Sequence, residues 1–503
     1  MGDAYDEEPY TEHAYAETHP MRVAAVARLS GWPSPPPANA RILELGCGRG
    51  GNLLPMAASL PSAAFVGVDR SGRQIADARR VASEAGLRNV TFVQASFASP
   101  DGALREGSFD YVVCHGVLSW VPAVARAPLL DRIARLLSPG GVAHVSFNVL
   151  PGWYERMAAR DWLRFAASSG APGQSPDAAD SVAWLRGQVS PELADYRRRL
   201  DAVARRLGET DPAYARHEYL AEEHHPLLVR TFLEEAAAAG LAYLGDALPA
   251  AAAVELLPEG ARERARTLDG AGAQQLVDFV RCTSFRRALL VRADEARARS
   301  WRAPLELDRD AARSLHLVSR LRPTAPAADA SPLEAFEDGD QSVQVSDPIV
   351  RRALRELARV APAALSFDAL ALRVLGGAGG PHAASALASE LVDLWLATGS
   401  LDLLAGSPAL SPVAGDRPIA CPVARWHAVH GGPITGRLHQ EVLVPDAIVR
   451  WVLARLDGTR TSADLAREAR SIEGSGDASD AELEQLVAAS VERLAICALL
   501  TPP

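Results

Sequence analysis

The sequence predicts an α/β fold, a doubly wound and mostly parallel sheet with helical insertions, followed by mostly helical C-terminal modules. Three observations lead there. Short apolar runs alternate with helical-period segments between Arg41 and Phe147. A glycine-rich turn separates the first apolar run from the helix after it. From Pro348 onward the pattern changes to amphipathic helices with short apolar runs behind them.

Met21–Gly31 has helical period and ends at Gly31 and the proline run Pro33–Pro37. Arg41–Leu45 is a strand, Asn52–Leu60 a helix, and Ala64–Val68 a strand closed by Asp69. Gln74–Ala85 is a helix stopped by Gly86, and Val90–Gln94 and Phe109–Val113 are strands. Ala123–Leu137 is an amphipathic helix stopped by Pro139-Gly140-Gly141, and Val142–Phe147 is a fifth strand. Val229–Ala239 is a helix, and the apolar runs Leu241–Leu244 and Ala288–Val291 supply strands six and seven. Helices are expected at Pro348–Val360, Ser366–Leu375, Ala383–Thr398, Val442–Leu456, Thr461–Ala469 and Asp480–Leu494, with a strand at Ser400–Leu404. The organisation expected is therefore a domain over 1–295 with helical insertions at about 165–228 and 250–285. A linker over 296–332 and two winged-helix-like modules, 333–410 and 411–503, complete it.

Composition narrows the function. All 52 basic residues of the 503 are arginine, against 62 acidic residues, for a net charge of −10. That balance disfavours a mainly electrostatic grip on nucleic acid. The five cysteines form no Cys-x-x-Cys pair, which argues against a zinc ribbon or a disulfide framework and suits a reducing cytoplasm. No apolar run reaches the length of a membrane span, and no early basic-then-apolar signal is visible, so a cytoplasmic protein without membrane insertion is expected. His217, His224 and His225 lack matching metal-ligand spacing and read as a polar helix end, so no metal is expected.

The segment Arg41-Ile-Leu-Glu-Leu-Gly-Cys-Gly-Arg-Gly-Gly-Asn52 carries glycines that permit a tight turn and a close approach of backbone amides to a ligand. Alone it fits a dinucleotide or S-adenosylmethionine (SAM). Glu44, two residues before Gly46, favours SAM, because its carboxylate would repel a pyrophosphate and suits the ammonium of SAM. Asp69, about 20 residues beyond the loop, can take both ribose hydroxyls. Leu137-Ser-Pro-Gly-Gly-Val-Ala-His-Val145 matches the L-x-P-G-G turn of class I methyltransferases. The cofactor-binding set is placed at Glu44, Gly46, Cys47, Gly48 and Asn52 in the loop and at Asp69, Arg70 and Gln74 after strand two. Ser96 and Phe97 after strand three and His115 and Gly116 after strand four complete it. S-adenosylhomocysteine is the expected product.

The resemblance extends beyond that class. Tyr5-Asp-Glu-Glu-Pro-Tyr10, Thr18-His-Pro20, Glu44-Leu-Gly-Cys-Gly48, Asp110-Tyr-Val-Val-Cys-His-Gly-Val-Leu-Ser-Trp-Val-Pro122 and Asn148-Val-Leu-Pro-Gly-Trp153 resemble bacterial class I methyltransferases carrying a methyltransferase regulatory domain. So do His217-Glu-Tyr-Leu220, Tyr243-Leu-Gly-Asp-Ala247 and Asp278-Phe-Val-Arg-Cys-Thr-Ser-Phe-Arg-Arg287. The likeness covers about 1–295, and Leu456-Asp-Gly-Thr-Arg460 fits the family's winged-helix tail more loosely. Ser96 and Leu118 stand where an acid and an aromatic are expected. The family includes rickettsial enzymes that methylate lysines of outer-membrane proteins, so the resemblance implies a protein or peptide acceptor and a lysine amine. The rival readings are a small-molecule or biosynthetic-peptide methyltransferase and a non-catalytic SAM-binding regulator.

Methyl transfer from a sulfonium needs an aligned neutral nucleophile and a dry site rather than an obligatory acid–base dyad. The candidate catalytic residues are Tyr10 and Tyr15 of an acidic N-terminal arm, His115, Ser119 and Trp120 after strand four, and Trp153 after strand five. The loop after strand four has no Asn/Asp-Pro-Pro-aromatic run and Cys114 no preceding proline, which excludes the usual DNA-methylating patterns. The tail carries mixed charge on its helices and is expected to position a polypeptide or mediate a homodimer, not to bind DNA. Its removal is expected to leave SAM affinity intact.

Overall fold

The loops that matter for function hang from the middle of one sheet. In the computed structural model, which describes residues 12–96, 104–169, 177–303, 306–324, 333–376, 380–410, 412–470 and 479–502, seven strands form it. They are β1 (Arg41–Leu45), β2 (Ala64–Asp69), β3 (Val90–Gln94), β4 (Phe109–Cys114), β5 (Leu137–Asn148), β6 (Leu241–Asp246) and β7 (Phe285–Arg292). Their order is β3-β2-β1-β4-β5-β7-β6. β1 pairs in parallel with β2 (Ile42 opposite Phe65) and with β4 (Ile42 opposite Tyr111), so the order reverses across β1. That is the switch point where the carboxyl ends of the strands leave a crevice. β7 runs antiparallel between β5 and β6.

Helices α1 (Pro20–Leu29), α2 (Leu53–Ser59), α3 (Gly72–Glu84) and α4 (Ala123–Leu136) cover the sheet. Their starts follow from local chemistry: His19 accepts from the Met21 amide ahead of Pro20, and Ser71 accepts from the Gln74 amide. Strand β5 begins earlier than its sequence suggests. Leu137 already faces Phe109, yet Val142 faces Tyr111, so Ser138–Gly141 bulge out of register. A Cβ on Gly141 would lie 2.9 Å from the Ser138 carbonyl oxygen, which keeps that bulge glycine-dependent.

The first insertion is helical, with α5 (Tyr154–Ser169), α6 (Ala178–Gln188), α7 (Ala194–Gly208) and α8 (Pro212–Leu220) around their own small core of Leu163, Val182, Leu200 and Val203. Helix α9 (Val229–Ala238) precedes β6, and α10 (Glu259–Arg266) and α11 (Gly270–Arg281) form the second insertion. A buried network ties the latter to the sheet: Arg286 on β7 donates to Asp278 at 2.8 Å and to the Gln274 side chain at 3.0 Å. Taking those charges from water is offset only because each finds partners.

The tail departs from expectation. Residues 296–332 do not form a simple linker: they contribute β8 (His316–Ser319) and β9 (Arg322–Pro323). A hairpin of β10 (Glu334–Asp338) and β11 (Gln341–Val345) follows, then α12 (Pro348–Val360), the short strand β12 (Leu365–Ser366), α13 (Phe367–Leu375), α14 (Pro381–Thr398) and β13 (Leu401–Leu404). β8 pairs with both β12 and β13, so the first module begins before residue 333. Its four-residue apolar strand is too short to announce itself, and the acids of the hairpin mask the alternation of Phe336, Val343 and Val345. The second module has helices α15 (Pro422–His430), α16 (Ala447–Arg455), α17 (Ser462–Ala469) and α18 (Asp480–Ile496). Capping boxes at Thr461/Asp464 and Ser479/Glu482 start the last two, whereas α15 is absent from the sequence reading.

Nor is the tail a separate body. Its apolar core is continuous with that of the sheet domain, joining Met21, Met56 and Phe65 to Val423, Val452 and Leu465. Arg22 of α1 pairs with buried Asp402 of β13 and donates to the Leu438 carbonyl at 3.1 Å. Trp426 of α15 donates to Glu84 of α3 at 2.7 Å. No helix among the described residues is long and apolar enough to cross a membrane.

Candidate functional site

The crevice at the switch point opens into a cavity of about 610 Å³. Its floor is the loop between β1 and α2. Gly46, Gly48 and Gly50 all adopt positive φ, which an L side chain rarely accepts. The amides of Gly46 and Cys47 bond the Val68 carbonyl, and the Gly48 amide donates to Asp69 Oδ2 at 2.9 Å. The other Asp69 oxygen accepts from the Ser71 amide at 2.9 Å. Asp69 therefore organises the loop from below while lining the cavity.

Glu44 sits at the end of β1, fully buried. Its Oε1 accepts from Asn52 Nδ2 at 2.8 Å, and its Oε2 has no hydrogen-bond partner among the described residues. Burial, reinforced by the Asp69 charge, pushes its carboxyl up to about 8. A buried, unsatisfied carboxyl oxygen is costly unless a ligand completes it. The ammonium of SAM suits it, and a pyrophosphate does not. With Asp69 placed for a ribose and Ser96 lining the cavity beyond β3, the residues fit this cofactor.

One consequence is measurable. A cation favours ionised Glu44, which is the minor form below pH 8. SAM affinity should therefore rise with pH through about 8, gaining about tenfold between pH 7 and pH 9. Calorimetry at fixed ionic strength checks this, and a flat profile would remove Glu44 from cofactor recognition.

The remaining walls come from the arm, from the loop after β4 and from the first insertion. Tyr15 stacks on His115 with ring centroids 3.8 Å apart. Burial holds His115 well below its ordinary range, so it is neutral. Gly116, at positive φ, donates its amide to Ser146 at 2.8 Å and shapes the turn beneath. Trp120, Asn148, Arg156, Tyr214, Glu218 and Arg287 also line the cavity. Glu218 lies in α8, within 4.0 Å of Arg156. Burial raises its carboxyl to about 7 against the opposing pull of Arg156. The same cause raises the Tyr15 and Tyr214 hydroxyls well above their ordinary values, so both stay protonated.

Glu44, Gly46, Cys47, Gly48, Asn52, Asp69, Arg70, Gln74, Ser96, His115 and Gly116 all line the cavity, as do Tyr15 and Trp120. Two expected catalytic residues do not. Ser119 is buried beneath the loop, where its hydroxyl accepts from the Asn148 amide at 2.8 Å and its carbonyl from the His225 amide. Trp153 is fully buried behind the wall, its ring 4.1 Å from that of His224. Tyr10 and Phe97 lie outside the described residues. The sequence reading also missed Tyr214 and Glu218, although His217-Glu-Tyr-Leu220 was visible as a motif, and it missed every tail residue near the loop.

Cysteine reactivity gives an independent check. Burial raises the Cys114 thiol to about 12 and Cys47 well above its usual range, whereas Cys282 is exposed. A thiol-specific chromogenic reagent should react first at Cys282 and leave Cys47 and Cys114 silent until the protein unfolds. Rapid labelling of Cys47 would mean that the glycine loop is open.

The family described as "Methyltransferase domain" matches residues 42–141, "Predicted methyltransferase regulatory domain" matches 211–292, and "PKMT, C-terminal winged helix domain" matches 416–498. An uncharacterized protein of Rickettsia prowazekii is 34% identical over 293 residues, covering 58% of this chain and 53% of its own length. A second from the same strain is 33% identical over 237 residues, 46% of this chain and 93% of its own. The chain thus spans about half the length of the first of these relatives and nearly all of the second. Among solved structures, PKMT2 from Rickettsia typhi has a TM-score of 0.84 at 24% identity, covering 98% of this chain and 100% of that one. Its complex with AdoHcy gives 0.85. The chain belongs to the class I SAM-dependent methyltransferases that carry a methyltransferase regulatory domain, and it shares the PKMT2 fold along nearly its whole length.

Proposed function

We propose that the protein transfers a methyl group from SAM to a protein or peptide amine, a lysine side chain. The observation that carries this reading is that Tyr15, Tyr214 and Glu218 line the same cavity as the cofactor loop. When bound, SAM supplies an electrophilic methyl on a sulfonium and leaves as S-adenosylhomocysteine. The chain's own residues have three tasks. Asp69, Glu44 and the glycine loop hold the adenosyl and amino-acid ends. Tyr15 and Tyr214 orient the acceptor nitrogen. Glu218, near half ionised at pH 7, takes the proton that a lysine ammonium must lose before its lone pair can attack. Neutral His115 adds no charge that would repel the ammonium.

The resemblance to rickettsial protein-lysine methyltransferases supports the same acceptor class. The test is incubation with methyl-labelled SAM and a bacterial lysate, followed by mass spectrometry of the labelled species. Label on lysine side chains of polypeptides is expected. The chain holds no lysine, so labelling of its own side chains cannot imitate that result. Label confined to small molecules, or to base-labile carboxyl esters, would refute the lysine reading.

A further inference from the structure

The C-terminal module reaches the cofactor loop with one side chain and the N-terminal arm with two others. Residues 434–441 form a compact turn in which the Gly436 amide bonds the Gln440 carbonyl, the His439 amide bonds the Gly436 carbonyl, and the Val442 amide bonds the Ile434 carbonyl. The Arg437 amide anchors the turn to the Ala498 carbonyl, just beyond α18. At its apex His439 is held at a φ of +60, a conformation few L residues adopt. Its ring is buried, and Nε2 meets Asn52 Oδ1 at 2.8 Å across 387 residues of chain.

That contact has a specific consequence. Asn52 Oδ1 also accepts from the Tyr15 amide at 3.0 Å and lies 3.1 Å from the Thr18 hydroxyl, whose one proton is closer to the Tyr15 carbonyl at 2.7 Å. The Tyr15 N–H can only donate, so it fixes this atom as the oxygen; a neutral His439 then bonds it with the proton on Nε2, and two donors converge on one amide oxygen. Rotating the Asn52 amide would turn its NH2 group toward both donors. The amide is therefore held with Nδ2 directed at Glu44, a residue of the cavity lining, and the other Glu44 oxygen keeps no hydrogen-bond partner among the described residues. Two positions on, Glu441 Oε1 meets His13 Nδ1 at 2.9 Å and accepts from the Ala14 amide at 3.3 Å. His427 of α15 lies 3.4 Å from Glu12. The arm that carries Tyr15 onto His115 is thus held from the tail.

We propose that the C-terminal module is a working part of the methyltransferase site, with His439 as a positioning residue for cofactor binding and Glu441 as a positioning residue for the arm that lines the acceptor end. His439 acts through Asn52 on Glu44, and Glu441 acts through residues 13–15 on Tyr15. The expectation that the tail could be removed without cost to SAM affinity is replaced by its opposite. The Glu441 half rests on the amine-acceptor reading above, whereas the His439 half concerns cofactor binding alone.

The test uses the full-length protein and calorimetric titration with SAM and S-adenosylhomocysteine. His439→Ala should weaken both ligands by about tenfold, the scale of one buried hydrogen bond. His439→Gln, whose side-chain amide can still donate, should recover most of that loss. Glu84→Gln, which perturbs the Trp426 contact between tail and sheet domain away from Asn52, should leave the affinity unchanged. Glu441→Ala should keep SAM affinity near that of the parent and lower methyl transfer. Wild-type SAM affinity in His439→Ala, no recovery in His439→Gln, or equal losses in His439→Ala and Glu84→Gln would each overturn the His439 assignment. Unchanged transfer in Glu441→Ala would overturn the Glu441 assignment. If no acceptor is methylated even by the parent protein, the amine-acceptor reading fails while the SAM titrations still decide the role of His439.

Discussion

Glu218→Gln should lower kcat for a lysine acceptor by about two orders of magnitude while leaving SAM affinity intact, since general bases typically contribute 10²- to 10⁴-fold. The sign of the pH effect follows from the raised carboxyl. With a value of about 7, Glu218 is protonated and unable to accept a proton below neutrality and becomes competent as pH rises through 7. In the parent protein kcat should rise with pH and bend near 7. In the glutamine variant the bend should vanish, and the rate should keep rising toward the lysine's own pKa near 10.4, where the bulk amine deprotonates unaided. Alkaline rescue separates a lost base from a damaged fold, which high pH does not repair. A variant that retains the parent's rate and the bend near 7 would remove Glu218 from the chemistry.

The second large effect lies on the cofactor side. Asp69→Ala removes the acceptor for the Gly48 and Ser71 amides, both at 2.9 Å, together with the carboxylate expected to take the ribose hydroxyls. The amide anchors are present with or without ligand, so Kd registers mainly the bonds to the ribose; at about 1.5–3 kcal/mol for a hydrogen bond to a charged group, SAM binding should weaken by about tenfold to a hundredfold. Asp69→Asn retains one acceptor oxygen and should fall between the two. Calorimetry reads this directly, with NAD as a ligand that should give no heat. A parent-like Kd for Asp69→Ala would contradict the placement of the cofactor.

The sheet domain was legible because its signals are local. Each strand from β1 to β5 is an apolar run bounded by a breaker, and the Glu44-to-Gly51 loop needs no tertiary information to be read as a cofactor turn. Asp69 follows from its place at the end of β2. Ser119 and Trp153 show where locality fails: both occupy functional-looking segments, yet one holds the end of β5 and the other fills the core behind Trp120 and His224. Side-chain direction within an irregular loop has no period to betray it. Glu218 stands in a visible motif, but only the packing of α8 brings it to the cavity. His439 and Glu441 left no signal, because their partners lie at Asn52 and His13, on the far side of the chain's entire middle. The continuous core that brings them there arises from apolar faces on α15 and α16 that, in sequence, read only as faces of a helical module.

The most direct measurement is the structure of the protein with S-adenosylhomocysteine bound. The ribose is expected at Asp69 and the amino-acid end at Glu44, with the sulfur facing Tyr15, Tyr214 and Glu218. A ligand seated on the glycine loop with its sulfur turned away from that wall would contradict amine transfer at this site, and a ligand bound elsewhere would contradict the cofactor assignment itself.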